Sequence, residues 1–269
     1  TRRGGLVLVA GAILPLSRSK KQTLDAVHLL HALPFTKRGA DIFRVRDFGT
    51  DASVTAGVFE RLNALGELNG HALQISAYTY SPLGMAGVES IAFELAEQLS
   101  ATKHVFCPAG GGGLTLAAAR GFAKLGHSSA VHCVQPEGND TIAGPLRDGR
   151  DEAQTVTCTS QISGLQVASV IDGHEVIREC RPTGGTGHTV SDERIWECQQ
   201  RLAREEGVFS EPAGAVALAG ALQAAANQEL HPEDHVVCLV TGSGFKDAAS
   251  IERMNASASV PLIDYEVIS

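Results

Sequence analysis

Short β-rich runs alternate with longer helical ones along this chain, and that alternation restricts the fold more than any other feature. The strand candidates are LVLVA (6–10), DIFRV (41–45), ALQIS (72–76), HVFCP (104–108), AVHCVQP (130–136) and HVVCLVT (235–241). Between them the apolar period changes to that of a helix. DASVTAGVFERLNALGELNG places Val54, Val58, Leu62 and Leu65 at helical spacing and is expected to stop at Gly66 or Gly70. VESIAFELAEQLS does the same with Ile91, Phe93, Leu95 and Leu99. SDERIWECQQRLAREEG opens on Ser191 as an N-cap, continues with acids that complement the helix dipole, and ends at Gly207. Strands separated by helices predict an α/β fold with a mostly parallel sheet flanked by helices.

Composition narrows the function classes. A chain of 269 residues is long enough for one large or two modest domains with a substantial core. The longest apolar stretch, GGLVLVAGAILPL, falls short of the roughly 18 to 20 residues a membrane span needs. Its basic start and lack of a small-residue cleavage pattern argue against a signal peptide. A net charge of −8 argues against a nucleic-acid surface, so any small anion has to be held locally. The six cysteines include no C-x-x-C pair, and Cys107, Cys133 and Cys238 lie in apolar runs where a thiol packs as a small hydrophobe. A cytoplasmic location and no metal site are the expectations.

The stretch HVFCPAGGGGLTLAAARGFAKLG (104–126) runs a strand into four glycines and out into an alanine-rich helix. Such a junction sets free backbone N–H groups beside the positive end of a helix dipole, which describes an anion site, and phosphate fits it best. Two familiar phosphate motifs fail here. The dinucleotide pattern lacks its third glycine, since Thr115 and Leu116 stand where it is wanted, and no G-K-S/T follows for a Walker loop.

Three further segments, VQPEGND (134–140), EEGVFSEPAGAVALAGAL (205–222) and VVCLVTGSGFKD (236–247), join PAGGGGL in an ordered set. Together they resemble the tryptophan-synthase β-like (fold type II) family of pyridoxal-phosphate-dependent enzymes, and within it threonine synthase and the threonine or serine dehydratases. Upstream, GADIFRV and SPLGMAGVESIAFELAEQL extend the resemblance to roughly residues 20–250. It implies a two-domain architecture: residues 1–85 would be the remainder of a smaller α/β domain and residues 86–269 a larger one carrying the glycine loop. It also implies pyridoxal 5'-phosphate as cofactor, an amino-acid substrate and a homodimer.

Carried over by position, Gly110, Gly111, Gly112, Gly113 and Leu114 would bind the cofactor phosphate, and Thr241 would offer its hydroxyl to the pyridine nitrogen. A neutral hydroxyl supports a weaker electron sink than a carboxylate, which favours β- or γ-elimination and replacement over transamination. Glu211 matches an acidic position that in some relatives lies near the ring or a cation; the alternative is a charge complementing a helix N-terminus. PTGGTGHTVSDE is expected to form a mobile loop around Gly184, Gly185 and Gly187, with His188 a surface residue or an acid–base group.

The resemblance also implies a Schiff-base lysine in a segment like S-F-K-x-R-G, then an S-x-G-N-x-G loop. PFTKRGAD (34–41) is the nearest string, making Lys37 the candidate for that lysine, with F-T-K-R in place of F-K-x-R. Three readings stay open: a piece of a larger enzyme, a short non-catalytic binding or regulatory relative, or a working enzyme in which Lys37 serves.

Overall fold

The computed structural model describes residues 6–8, 41–43, 45–68 and 75–256. Strand β1 (Leu6–Leu8) pairs in parallel with β2 (Asp41–Phe43). Helices α1 (Ala52–Leu68), α2 (Pro82–Val88) and α3 (Ser90–Gln98) precede β3 (Thr102–Pro108), α4 (Gly113–Leu125) and β4 (Ala130–Pro136). Then come α5 (Ala143–Arg147), α6 (Gly173–Cys180), β5 (Gly187–Val190), α7 (Asp192–Glu205), α8 (Pro212–Ala226), β6 (His235–Cys238) and α9 (Ala248–Asn255).

The second sheet has four strands in the order β5-β4-β3-β6, every pair parallel. Its alternating side chains divide the core into two layers, as the period of two requires. Val105, Cys107, Val131 and Cys133 face α4 and α6, where they meet Leu116, Phe122, Val176 and Ile177. Phe106, Val134 and Val190 face the other way, onto Ile195, Cys198 and Leu202 of α7 and the alanines of α8. Helix α8 lies close to the sheet because Gly220 faces it: a Cβ there would stand 2.6 Å from Val134 Cγ1. Among the described residues no helix is long and apolar enough to cross a membrane.

Several expectations need correcting. In α1 the buried residues are Thr55 and Phe59, while Leu65 is exposed, and the helix runs through Gly66 to Leu68. In α3 the buried residue is Ala92 and Phe93 is exposed. Of the 72–76 run only Ile75 and Ser76 are described, and neither is in a strand. The last strand stops at Cys238; Leu239 still donates its N–H to the Phe106 carbonyl, and the Thr241 carbonyl then packs against Gly214 of α8. The 183–188 stretch is not a loop throughout: its second half opens β5, which joins the sheet edge. Helix α7 begins as expected, the Ser191 side chain accepting the Arg194 N–H. Ser191→Ala is expected to destabilise the fold by about 1 kcal/mol and to lower Tm by roughly 2–4 °C in a calorimetric scan.

Candidate functional site

Sheet order creates a topological switch point between β3 and β6. From β3 the chain moves outward to β4 and β5, then returns to the opposite side of β3 as β6. In open parallel sheets, ligands bind in the crevice beyond the carboxyl ends of such strands. The 110–113 loop follows β3 at that end, and Thr241 lies just past the last residue of β6.

The loop is glycine for steric reasons that differ along it. Gly112 has φ 99°, which L side chains resist, and a Cβ there would sit 2.7 Å from Val176 Cγ2. At Gly113 a Cβ would stand 2.6 Å from the Ser76 carbonyl, and at Gly111 3.2 Å from Ile171 Cδ1. Helix α4 starts at Gly113 with no side-chain cap. Among the described residues, the N–H groups of Gly111, Gly112, Gly113 and Leu114 donate to no acceptor. The Thr115 hydroxyl is fully buried and has no hydrogen-bond partner. Four unengaged amides at a dipole end fit the oxygens of one phosphate group and make this loop the candidate cradle, with the orphaned Thr115 hydroxyl on the next residue.

Two buried polar side chains that the sequence reading passed over hold this cradle in shape. Gln135, fully buried on β4, donates to the Gly110 carbonyl (3.2 Å) and Thr141 Oγ1 (2.9 Å), while its Oε1 accepts the Ile142 and Ala143 N–H groups. Asp172 stands at the N-cap of α6 but does not cap it. Its carboxylate instead accepts the Tyr78 and Thr79 N–H groups (2.8 and 3.0 Å), and its own N–H donates to the Gly111 carbonyl. A polar residue inside an apolar strand and the D-x-x-E start at 172–175 are the signals that could have found them. Nearby, burial and the Glu89 carboxylate hold the Tyr78 phenol protonated far above its usual range.

The other predicted residues gather on the facing rim. Glu211 and Pro212 start α8, again without a side-chain cap. Gly214 packs directly on the Thr241 carbonyl, where a Cβ would collide, and this contact joins the helix start to the turn after β6. Glu211 is half-buried beside Gly242, with Lys246 Nζ 3.8 Å from its carboxylate. The 164–167 segment bridges the two rims. A Cβ on Gly110 would stand 3.1 Å from the Gly164 carbonyl, and one on Gly164 3.5 Å from Ala213 Cβ. Leu114 packs with the core beside α4.

His188 does not belong to this crevice. It is buried on β5, at the far side of β4 from β3, and bonded to His132, so it is not a surface residue. Lys37 lies outside the described residues. Among those described, Lys103 pairs with Asp234 (2.7 Å) and Lys124, at the far end of α4, pairs with Glu89.

The family model described as "Pyridoxal-phosphate dependent enzyme" matches residues 34–242. Among curated proteins, the threonine synthase of Methanocaldococcus jannaschii is 27% identical over 176 residues, 62% of this chain and 44% of that protein. The threonine synthase of Synechocystis sp. is 26% identical over 204 residues, covering 74% and 52%. The chain spans about half the length of these relatives. Among solved structures, the processed form of threonine deaminase isoform 2 from Solanum lycopersicum superposes with a TM-score of 0.67 at 20% identity, covering 96% of this chain and 67% of that one. Maize serine racemase gives 0.62 at 21%, covering 81% and 64%. At such identities the likeness is one of fold.

Proposed function

The chain belongs to the pyridoxal-phosphate-dependent enzyme family, and on that premise we propose that it is a lyase of this family, or a portion of one. Its reaction would be β- or γ-elimination or replacement on an amino acid such as threonine, serine or O-phosphohomoserine. The observation that carries the reading is the glycine loop with its four unengaged amides and the orphaned Thr115 hydroxyl at a switch point.

When bound, pyridoxal 5'-phosphate supplies a ring that withdraws electrons from the substrate's α-carbon. The amides of Gly111 to Leu114 would hold the phosphate, with the Thr115 hydroxyl a further donor. Gln135 and Asp172 draw the Gly110 and Gly111 carbonyls away from the anion, so the loop presents donors only. The Thr241 hydroxyl would be the neutral partner of the ring nitrogen, a pairing that would favour elimination or replacement over transamination. Glu211, beside Thr241 and in reach of Lys246, sets the charge at the ring's edge. A division near residue 85, a homodimer and a cytoplasmic location complete the proposal.

A second reading is a non-catalytic relative that keeps the cradle. It is favoured by the engagement of Lys103 and Lys124 away from the loop. Titration with pyridoxal phosphate, followed by borohydride reduction and peptide mass mapping, separates the two. A saturable visible band trapped on one lysine, with Lys37 the candidate, supports the enzyme. Saturable binding that inorganic phosphate competes away, with no lysine trapped, supports the second reading. Absence of any phosphate-competitive binding overturns both.

A further inference from the structure

A diagonal row of three imidazoles crosses three strands of the sheet, from the amino-terminal half of β3 to the level of Val134 on β5. His104 on β3, His132 on β4 and His188 on β5 share the α8-facing side, with His104 Nδ1 3.0 Å from His132 Nε2 and His132 Nδ1 3.2 Å from His188 Nε2. Carboxylates terminate the row. His104 Nε2 lies 3.3 Å from Asp234 Oδ2, and His188 Nδ1 lies 3.8 Å from Glu229 Oε2. The Phe106 ring stacks flat on His132, centroids 4.4 Å apart and planes 7° from parallel.

One backbone donor fixes every proton in the row. The Thr186 N–H donates to His132 Nδ1 (3.3 Å), so that nitrogen carries no proton and Nε2 carries the only one. His132 Nε2–H therefore donates to His104 Nδ1, and His104 must place its own proton on Nε2, where Asp234 accepts it. His188 Nε2 faces the same lone pair of His132 and so donates to it. The bonds run one way from His188 to Asp234, and they tie the outermost strand to the centre of the sheet. A proton added at His132 Nδ1 would confront two donors and break both ties to β5 at once.

We propose that this imidazole row is an acid-sensitive latch that holds edge strand β5 in the sheet. The strand depends on it. It is four residues long, among the described residues it pairs on one side only, and its side of the row carries the half-exposed Glu229. Among the described residues, other charges facing the row are few. Lys103 pairs with Asp234 at one end, Arg147 of α5 approaches His188 and bonds Thr189 at the other, and α8 contributes no ionisable side chain. Cys238 of β6, beside Phe106, stays a neutral thiol because burial raises it to about 11. Burial and the two neighbouring rings hold His132 unprotonated in the closed strand, whereas an opened strand frees an imidazole of ordinary basicity. Acid thus pulls the strand open.

Beyond β5 the chain enters α7, where Asp192 accepts hydrogen bonds from Ser160 Oγ (2.8 Å) and the Gln161 N–H (2.6 Å). Opening therefore releases the segment that leads to the 164–167 bridge over the glycine loop.

Hydrogen exchange on the full chain tests the latch, with rates corrected for the intrinsic pH dependence of amide exchange. The opening constant of the Gly187–Val190 amides is expected to rise about thirty-fold between pH 7.5 and pH 5, the ratio set by one freed imidazole with a pKa near 6.5. In His132→Phe, which keeps the stack on Phe106, the rise should fall below three-fold. An equal rise in both proteins overturns the proposal. Should the variant not fold, imidazole nitrogen NMR of the wild type decides. His132 protonated on Nε2 alone at pH 5 supports the latch, and titration near pH 6.5 overturns it.

Discussion

Gly112→Ala is expected to destabilise the protein by about 2–4 kcal/mol and to weaken pyridoxal phosphate binding at least tenfold. Two penalties combine: a left-handed φ of 99° for an L residue, about 1–2 kcal/mol, and a methyl 2.7 Å from Val176 Cγ2 and 3.0 Å from Ile142 Cδ1, about 1–2 kcal/mol more. The two contacts belong to α6 and to the start of α5, so relief requires moving the supports of the cradle. Gly126→Ala is the internal control. Gly126 also has a positive φ, 62°, but nothing lies within 4 Å of its Cβ position, so only the conformational penalty of about 1 kcal/mol remains. Urea unfolding measures both variants, and phosphate-competitive cofactor titration reads the site. Equal destabilisation by the two would mean that the loop has slack and that packing does not hold its shape.

Acid is expected to remove a few kcal/mol of stability between pH 6.5 and 4.5. Burial first, then the neighbouring His188 and His104, bring His132 down to about 3 from an ordinary 6.5. A histidine lowered on folding contributes stability that is present in full above the unfolded value. That stability is lost as pH falls toward the folded value, because the unfolded chain binds a proton the folded chain refuses. The slope is about 1.4 kcal/mol per pH unit, giving roughly 2–3 kcal/mol over this window. His188 is lowered by burial and adds to the loss in the same direction. Asp234, brought down to about 2 chiefly by its hydrogen bond from Lys103, loses its contribution at lower pH and leaves this window to the histidines. Urea midpoints at pH 7.5, 6.5, 5.5 and 4.5 should fall for the wild type and flatten for His132→Phe. Parallel curves would show that the acid loss arises elsewhere.

Local pattern made much of the architecture readable. The β3–α4–β4 unit has its strand runs, its glycine junction and its helix in order in the chain, and parallel pairing follows from the helix between the strands. The Ser191 cap and the acids after it mark the start of α7 for the same reason, since capping involves residues two or three apart. Where burial is set by distant neighbours, the pattern misled. Phe93 has the spacing of a core residue yet is exposed, and Ala92 beside it is buried because Gly121 of α4 approaches at that point. Strand β5 was illegible for a related cause. Its four residues include a glycine, a histidine and a threonine, and only β4 alongside makes them a strand.

The candidate site divides along the same line. The glycine loop, the Glu211–Pro212 helix start and the Thr241 turn are contiguous segments whose chemistry is written in adjacent residues, so the segments of the proposed cradle and its facing rim can be named without the fold. Their form comes from contacts between residues remote in the chain. Asp172 grips amides 93 and 94 positions away in the chain, Gln135 spans 25 positions to Gly110, and three histidines distributed over 84 residues line up across one sheet. Hydrogen bonds act over about 3 Å of space whatever the separation along the chain, and the strand order that brings those residues together is a property of the packed sheet.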